Sequence, residues 1–467
     1  MFVSVVKSFV ALDVETTGLD PERDRITEVG AVRCDAEGRV LETFESLVNP
    51  GREIPLFIEQ LTGVTNELVR GAPPLESIAP KLMEFVGEGP IVGQNIGFDL
   101  ACLRREGLRF ETKAVDTASL SRLLLPEKAD VDREKRGLQQ LAATLGVEAG
   151  VHHRALPDAR TAAAIFVALL RRAGDLPTVT RLQLARLVSI TDTLVAELIA
   201  GEAWQDVPPG ERELPTIRPG PAYPALVRRE PTLPTPAEEL ERVFAAAPSV
   251  FERFEERDEQ RQMAEAVRDA MSNGGHWLIE AGTGVGKSLA YLIPAALHAL
   301  KNGERVVIST NTINLQEQLL KKDIPALKRI LKEAGVIEDE ADLRAALLKG
   351  RGNYLCLRRW TASYGQYMAD PDFASLAASM LLWLPHTETG DRSELSLDHQ
   401  DWLTWQRFSA QDTDCLARQN SFVREGNCFL LRARKAAESA HLVIVNHALL
   451  LANAARADQV LPPFRHL

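Results

Sequence analysis

No apolar run in this 467-residue chain reaches the roughly 18 residues that crossing a bilayer requires. The opening Met1-Phe-Val-Ser-Val-Val-Lys7 has neither the charged region nor the long apolar region of a secretory signal. The expectation is a cytoplasmic protein with no membrane partner. Cysteine is scarce: five residues, an odd and scattered set, which argues against a disulfide framework. A positive balance is lacking as well. The formal charge of −11 works against indiscriminate attraction to nucleic acid, although metal ions can neutralise a carboxylate cluster and local basic stretches can still meet phosphates. No internal repeat is visible.

What is present is an ordinary globular composition, 45% hydrophobic and 25% charged, in a chain long enough for two or three domains with their own cores. Strand and helix patterns alternate from about Ser8 to Arg172. Ser8 to Val14 reads as a strand, Ile26 to Arg33 and Arg39 to Val48 as a hairpin, and Pro157 to Arg172 as a helix with proline in its first turn. A helical stretch follows from about Val179 to Ile199. Between Glu202 and Leu240 lie nine of the 26 prolines, a density that resists helix and sheet and suits an extended linker. His276 to Glu280, Lys287 to Leu300 and Arg305 to Thr310 then read as strand, helix and strand of a parallel unit. The domains expected are residues 1–175, a helical segment and Pro-rich linker over 176–240, and 241–467, with an insertion at about 349–434 that holds three of the five cysteines.

Chemistry-bearing residues cluster in two places. In Phe9-Val-Ala-Leu-Asp13-Val-Glu15-Thr-Thr-Gly18 the two acids are spaced by two on a strand, so both project from one face. Ile91-Val-Gly-Gln-Asn95-Ile-Gly-Phe98-Asp99 reads as a strand entering a helix whose first turn holds Asp99. His153-Arg-Ala-Leu-Pro-Asp158 sets a histidine one loop before an acid at another helix start. Taken singly, such acids more often decorate a surface or balance a helix dipole. In the second half, Ala281-Gly282-Thr283-Gly284-Val285-Gly286-Lys287-Ser288 fits a phosphate-cradling loop. Its glycines let backbone N–H groups approach phosphate, Lys287 would neutralise the β and γ phosphates, and Ser288 would coordinate Mg²⁺.

Jointly the amino-terminal residues resemble the DnaQ-like 3′–5′ exonucleases with a histidine in the last motif. Asp13 and Glu15 fit the first motif, Asn95, Phe98 and Asp99 the second, and His153 and Asp158 the third, while Gly63-Val-Thr65 fits an intervening segment. The resemblance implies an α/β, ribonuclease H-like domain that removes nucleotides from single-stranded 3′ ends of DNA with two Mg²⁺ or Mn²⁺ ions. By analogy Asp13 bridges both ions, Glu15 and Asp158 hold the nucleophile-side ion, Asp99 holds the other, and His153 takes the proton from the attacking water, with His152 as a weaker candidate.

Phe254 to Met263, Glu280 to Ser288, Val307 to Gln318 and Val443 to Leu450 resemble successive motifs of the DinG branch of the XPD-like superfamily 2 helicases. That resemblance implies a partial RecA-like P-loop domain with a helical insertion, binding ATP, with Gln260 contacting adenine and the Thr310 to Gln318 segment meeting DNA. Two departures stand out. No acidic strand end of the Asp-Glu-Ala-His type follows the loop, so the expectation is a nucleotide site truncated before that motif and unable to act as a helicase alone. Related helicases ligate an iron–sulfur cluster with four cysteines. Here Cys356, Cys415 and Cys428 are three, with Asn420-Ser421 near another position, so no cluster is expected and the insertion should fold on Trp383, Leu384, Trp402 and Trp405. Two alternatives remain in view: a nucleotide- and DNA-binding regulatory module with a vestigial nuclease, and a proofreading polymerase subunit.

Overall fold

The computed structural model describes residues 6–126, 137–150, 153–201, 217–251, 254–255, 257–282, 286–366, 369–397, 399–411, 420–455 and 460–467. The chain divides into two compact units. One comprises Met1–Arg218, Arg359–Thr387 and Asp391–Phe408, the other Pro219–Arg358, Glu388–Gly390 and Ser409–Leu467.

In the first unit five strands, β1 (Ser8–Thr16), β2 (Ile26–Asp35), β3 (Val40–Leu47), β4 (Ile91–Gly93) and β5 (Ala114–Asp116), form one sheet in the order β3-β2-β1-β4-β5. The β1-β2 and β2-β3 pairs are antiparallel, whereas β1-β4 and β4-β5 are parallel. Alternation along β1 splits its side chains between two layers. Val10, Leu12 and Val14 enter a core with Leu82, Phe85, Ile91 and Leu103. Phe9, on the opposite face, meets Phe166 of the helix Ala155–Gly174 edge-on with ring centroids 4.9 Å apart. Asp13 and Glu15 share that second face. The exposed β3 carries Glu42 and Glu45, charges that discourage edge-to-edge pairing.

Close approach of the helix Ala155–Gly174 to the sheet depends on Gly30. A Cβ there would overlap the backbone of Ala155 and Leu156. Gly30 sits directly across β1 from Asp13, so this contact sets the helix start beside the first acid.

Helices Thr178–Val188 and Thr193–Ala200 complete this part. The helix Pro371–Trp383 packs on Thr178–Val188 and on Thr117–Leu124. Part of the insertion read from the sequence therefore belongs to the same compact unit as the acids. Its packing is aromatic: Trp360, Phe373 and Phe408 form one cluster, and Trp383 meets Trp405 while its indole N–H donates to Glu394 at 2.9 Å. Trp383, Leu384 and Trp405 are buried as expected, whereas Trp402 is exposed.

The second unit has a parallel sheet of β6 (Val306–Thr310), β7 (Ala345–Leu347) and β8 (Leu442–Asn446) in the order β6-β8-β7. The helix Lys287–Asn302 buries Leu292, Ile293, Ala296 and Leu297 against it. The strand expected over His276 to Glu280 is not formed. Among the described residues nothing pairs with that segment, and Trp277 and Leu278 stand exposed. An apolar run becomes a strand only where a neighbour takes its N–H and C=O groups.

Residues 217–236 of the Pro-rich stretch run as a strap without helix or strand, and the helix Ala237–Ala246 begins at its end. Asn302 clasps Leu233 by two hydrogen bonds, Arg229 N–H donates to the Asn302 carbonyl, and Arg228 pairs with the buried Glu304 at 2.8 Å. Glu304 also faces His298 and His466, forming a buried polar cross-link between strap, helix and sheet. No helix among the described residues is long and apolar enough to cross a membrane.

Candidate functional site

The structure brings all five amino-terminal candidates onto one face of the sheet and its adjoining helix starts. Asp13 and Glu15 lie on β1, opposite Gly30 and Glu28 of β2. Asp99 comes from the first turn of the helix Gly97–Arg105, and its Oδ1 accepts the Val14 N–H at 2.9 Å. Asp158 comes from the first turn of Ala155–Gly174, and its Oδ2 accepts the His153 N–H at 3.1 Å. His153 adopts a left-handed backbone with φ of 58°, which an isolated histidine disfavours. One ligand atom from each of Glu15, His153 and Asp158 lies within 4.8 Å of the others.

Crowding acids away from water has an electrostatic cost. Burial, followed by repulsion from Asp99, Glu15, Asp158 and Glu28, pushes Asp13 well above the ordinary carboxylate range. Burial and then Asp158 and Glu28 raise Glu15 to about 8, with Arg154 opposing. Burial raises Asp99 to about 7 against the lowering hydrogen bond from Val14. Carboxylates held this close need positive charge between them. Hard oxygen donors suit Mg²⁺ or Mn²⁺, so the donor set fits the divalent ions that the resemblance implies.

Second-motif residues do supporting work. Asn95 is left-handed with φ of 53°, its N–H donates to Asp116 at 2.8 Å, and Phe98 packs half-buried against the core below Asp99. Gly63 ends the helix Leu56–Thr62 in a left-handed turn, and the Thr65 hydroxyl caps the next helix. His152 lies outside the described residues.

On this face sequence reasoning missed Glu28 and its partner Arg154. Glu28, fully buried on β2, accepts from Arg154 Nε and Nη2 at 3.0 and 2.6 Å and from the Ala155 N–H at 3.1 Å. A lone glutamate inside the apolar run Ile26-Thr-Glu-Val-Gly-Ala-Val32 was the available signal, because an acid in a two-sided buried strand requires a partner.

In the second unit Gly286 is left-handed at φ 79° and begins the helix Lys287–Asn302. The Gln260 amide donates to its carbonyl at 2.8 Å, so Gln260 braces the loop. Lys287 Nζ reaches the carbonyls of Ala281 and Gly282, both at 2.9 Å. Ser288 hydrogen-bonds Asp323, an acid not anticipated at this site, whose carboxyl burial raises. Thr283 and Gly284 lie outside the described residues. Cys356 and Cys428 are half-buried thiols, Cys415 lies outside the described residues, and Asn420 caps the short helix Ser421–Arg424.

A family model described as exonuclease matches residues 10–166, and one described as DEAD/DEAH box helicase matches residues 258–348. The chain is 34% identical over 466 residues to the 3′–5′ exonuclease DinG of Bacillus subtilis, an overlap covering 97% of this chain and 48% of the relative. It is 27% identical over 409 residues to the 3′–5′ exonuclease DinG of Staphylococcus epidermidis, covering 84% of this chain and 42% of the relative. Among solved structures, Exonuclease X in complex with 5′ overhanging duplex DNA is 25% identical with a TM-score of 0.30, covering 36% of this chain and 94% of that one. The chain spans less than half the length of the two DinG relatives.

Proposed function

We propose, from the exonuclease domain at residues 10–166 and the DEAD/DEAH box helicase segment at residues 258–348 that this chain carries, that it is a cytoplasmic 3′–5′ exonuclease acting on single-stranded 3′ ends of DNA. The observation that carries the reading is the convergence of Glu15, His153 and Asp158 within 4.8 Å on the face that also bears Asp13 and Asp99. Asp13, Glu15, Asp99 and Asp158 would hold two divalent ions, Mg²⁺ or Mn²⁺. Bound there, such ions stabilise charge on both the attacking and the leaving oxygen of a phosphodiester. His153, exposed at the rim, accepts the proton of the attacking water on an imidazole nitrogen. Asp158 fixes the backbone of that histidine, and Asp99 fixes the strand between the two first-motif acids.

The second unit is read as an ATP-binding part of a DinG-like helicase domain. Gly282, Thr283, Gly284 and Gly286 would present the backbone to phosphate, Lys287 would exchange its loop carbonyls for the β and γ phosphates, Ser288 would face Mg²⁺, and Gln260 would stand at the base. The insertion cysteines are read as thiols without an iron–sulfur cluster. Iron and sulfide at about four each per chain after anaerobic purification would overturn that part.

The test uses a single-stranded oligonucleotide labelled at its 5′ end, so that loss from the 3′ end appears as a descending ladder. Wild-type protein should produce the ladder with Mg²⁺ or Mn²⁺ and not in excess chelator. Asp13→Ala should reduce it about 10³-fold or more, given the several kcal/mol that metal catalysis supplies. A ladder of unchanged rate in Asp13→Ala or in chelator would sink the assignment, and a wild type with no activity would favour the regulatory module. RNA of the same sequence, run beside DNA, decides the sugar preference.

A further inference from the structure

The face that carries the acids has a charge problem that metal ions alone do not address. Glu15 and Glu28 are direct cross-strand partners of β1 and β2, and Glu45 of β3 stands opposite Gly30 on the same face. Like charges in that register repel, and Glu28, fully buried, has no water to screen it. Arg154 meets this row. Its guanidinium grips Glu28 through Nε and Nη2 and reaches Glu45 at 3.7 Å. The same Glu28 carboxylate takes the N–H of Ala155 at 3.1 Å, one of the orphan donors at the start of the helix Ala155–Gly174.

These bonds converge on one turn. On one side of it the His153 N–H is held by Asp158. On the other, Arg154 and Ala155 are held by Glu28. Between the two carboxylates His153 is kept left-handed, a conformation that persists in a non-glycine residue only when its surroundings over-determine it.

We propose that the Glu28–Arg154 pair positions the nuclease base: the buried carboxylate clamps the residues that follow His153, so that its imidazole stands beside Glu15 and Asp158. The proposal rests on the exonuclease reading above. Neither Glu28 nor Arg154 is assigned contact with metal or substrate; both lie close enough to bias the charge of Glu15, and their positioning role runs through His153. A bidentate, charge-assisted pair suits that task because it fixes orientation as well as distance, and lysine cannot reproduce its fork.

The experiment measures kcat and KM on a single-stranded oligonucleotide for wild type, Glu28→Gln, Arg154→Ala and Arg154→Lys, with His153→Ala and the His153→Ala/Arg154→Ala double variant closing a cycle. Amide hydrogen exchange of residues 153–155 is followed in the same proteins. Glu28→Gln and Arg154→Ala should lower kcat about 10- to 100-fold, the usual effect of losing a partner behind an active-site group, with KM within about twofold. Arg154→Lys should recover part of the loss. In the His153→Ala background, removing Arg154 should cost almost nothing further, and exchange should quicken at residues 153–155 while β1 and β2 stay protected.

Losses that multiply in the double variant would show that the pair acts elsewhere and would overturn the proposal. So would unchanged kcat with unchanged protection of the turn. If Arg154→Ala fails to fold, Arg154→Lys and Glu28→Gln carry the same comparison. A wild type without 3′ degradation overturns the exonuclease reading instead, and exchange at residues 153–155 then decides by itself whether the pair holds the turn.

Discussion

Asp99 accepts the backbone N–H of Val14 at 2.9 Å, across 85 positions of sequence. That N–H belongs to the residue between Asp13 and Glu15, so one carboxylate both joins the acid cluster and pins the strand that supplies half of it. Scaffold and chemistry share a side chain.

The two duties can be separated. Asp99→Asn keeps an oxygen for the Val14 N–H but loses the charge, whereas Asp99→Ala leaves a buried donor unsatisfied at about 1–3 kcal/mol. Asn should leave the melting temperature within a few degrees of wild type and lower nuclease activity at least about 100-fold. Ala should lower both. Equal destabilisation by the two substitutions, measured by thermal denaturation in chelator, would show that the Val14 bond contributes nothing.

The acid cluster also sets a pH dependence. Burial and then mutual repulsion raise Asp13 well above its usual range and Glu15 to about 8, and burial raises Asp99 to about 7. In the unfolded chain these groups ionise near pH 4. Between about pH 4 and pH 8 the folded state therefore holds more protons than the unfolded one, and stability falls as pH rises through that window. Metal-free protein should melt lower at pH 8 than at pH 5, with a shallower slope in Asp13→Asn. Mn²⁺ should raise the melting temperature more at pH 8, where protons no longer compete for the carboxylates. A metal-free melting temperature that is flat or rising over this range in both proteins would contradict the argument.

Much of this site was legible because its chemistry follows local rules. Spacing by two on a strand placed Asp13 and Glu15 on one face, and Asp99 and Asp158 stand in first helical turns as read from the sequence. The remainder depends on partners distant in sequence. Glu28 is recognisable as part of the site only when Arg154, 126 residues away, is seen to grip it. The apolar segment His276 to Glu280 reads as a strand by composition, yet a strand is a pairing, and no described residue pairs with it. The helix Pro371–Trp383 falls in a stretch read only as an insertion, and nothing local in it names the helices Thr117–Leu124 and Thr178–Val188 that bury it.

Gly30 offers a test of how the site is assembled. A methyl group there would press into the backbone at the start of the helix Ala155–Gly174, which has no flexible side-chain end to move aside. Gly30→Ala should cost about 1–3 kcal/mol as an overpacking change, or roughly 2–4 °C of melting temperature per kcal/mol in a unit of this size. Because the displaced backbone leads into Asp158 and follows His153, nuclease activity of the folded fraction should fall as well. Full activity per folded molecule, with folding measured by circular dichroism, would show that the approach of helix to sheet does not govern the placement of His153 and Asp158.

The nucleotide loop makes a separate prediction, in which charge and backbone shape are independently tested. Lys287 holds the carbonyls of Ala281 and Gly282, and Gln260 holds that of Gly286. Lys287→Ala removes the charge proposed to meet phosphate, so a fluorescent ATP analogue should bind at least about tenfold more weakly, the 1.4 kcal/mol equivalent of one modest charge-assisted hydrogen bond. Gly286→Ala keeps every charge but forces a Cβ into the Gln260 amide at a φ of 79°, a conformation costing roughly 1–2 kcal/mol outside glycine. It should weaken binding too. Gln260→Ala removes the collision together with the expected adenine contact, so the double variant should bind about as weakly as Gln260→Ala alone if the collision is the whole defect. Binding that is unaffected by Lys287→Ala would remove the loop from the nucleotide site. A double variant weaker than Gln260→Ala alone would locate the remaining defect in backbone strain at residue 286.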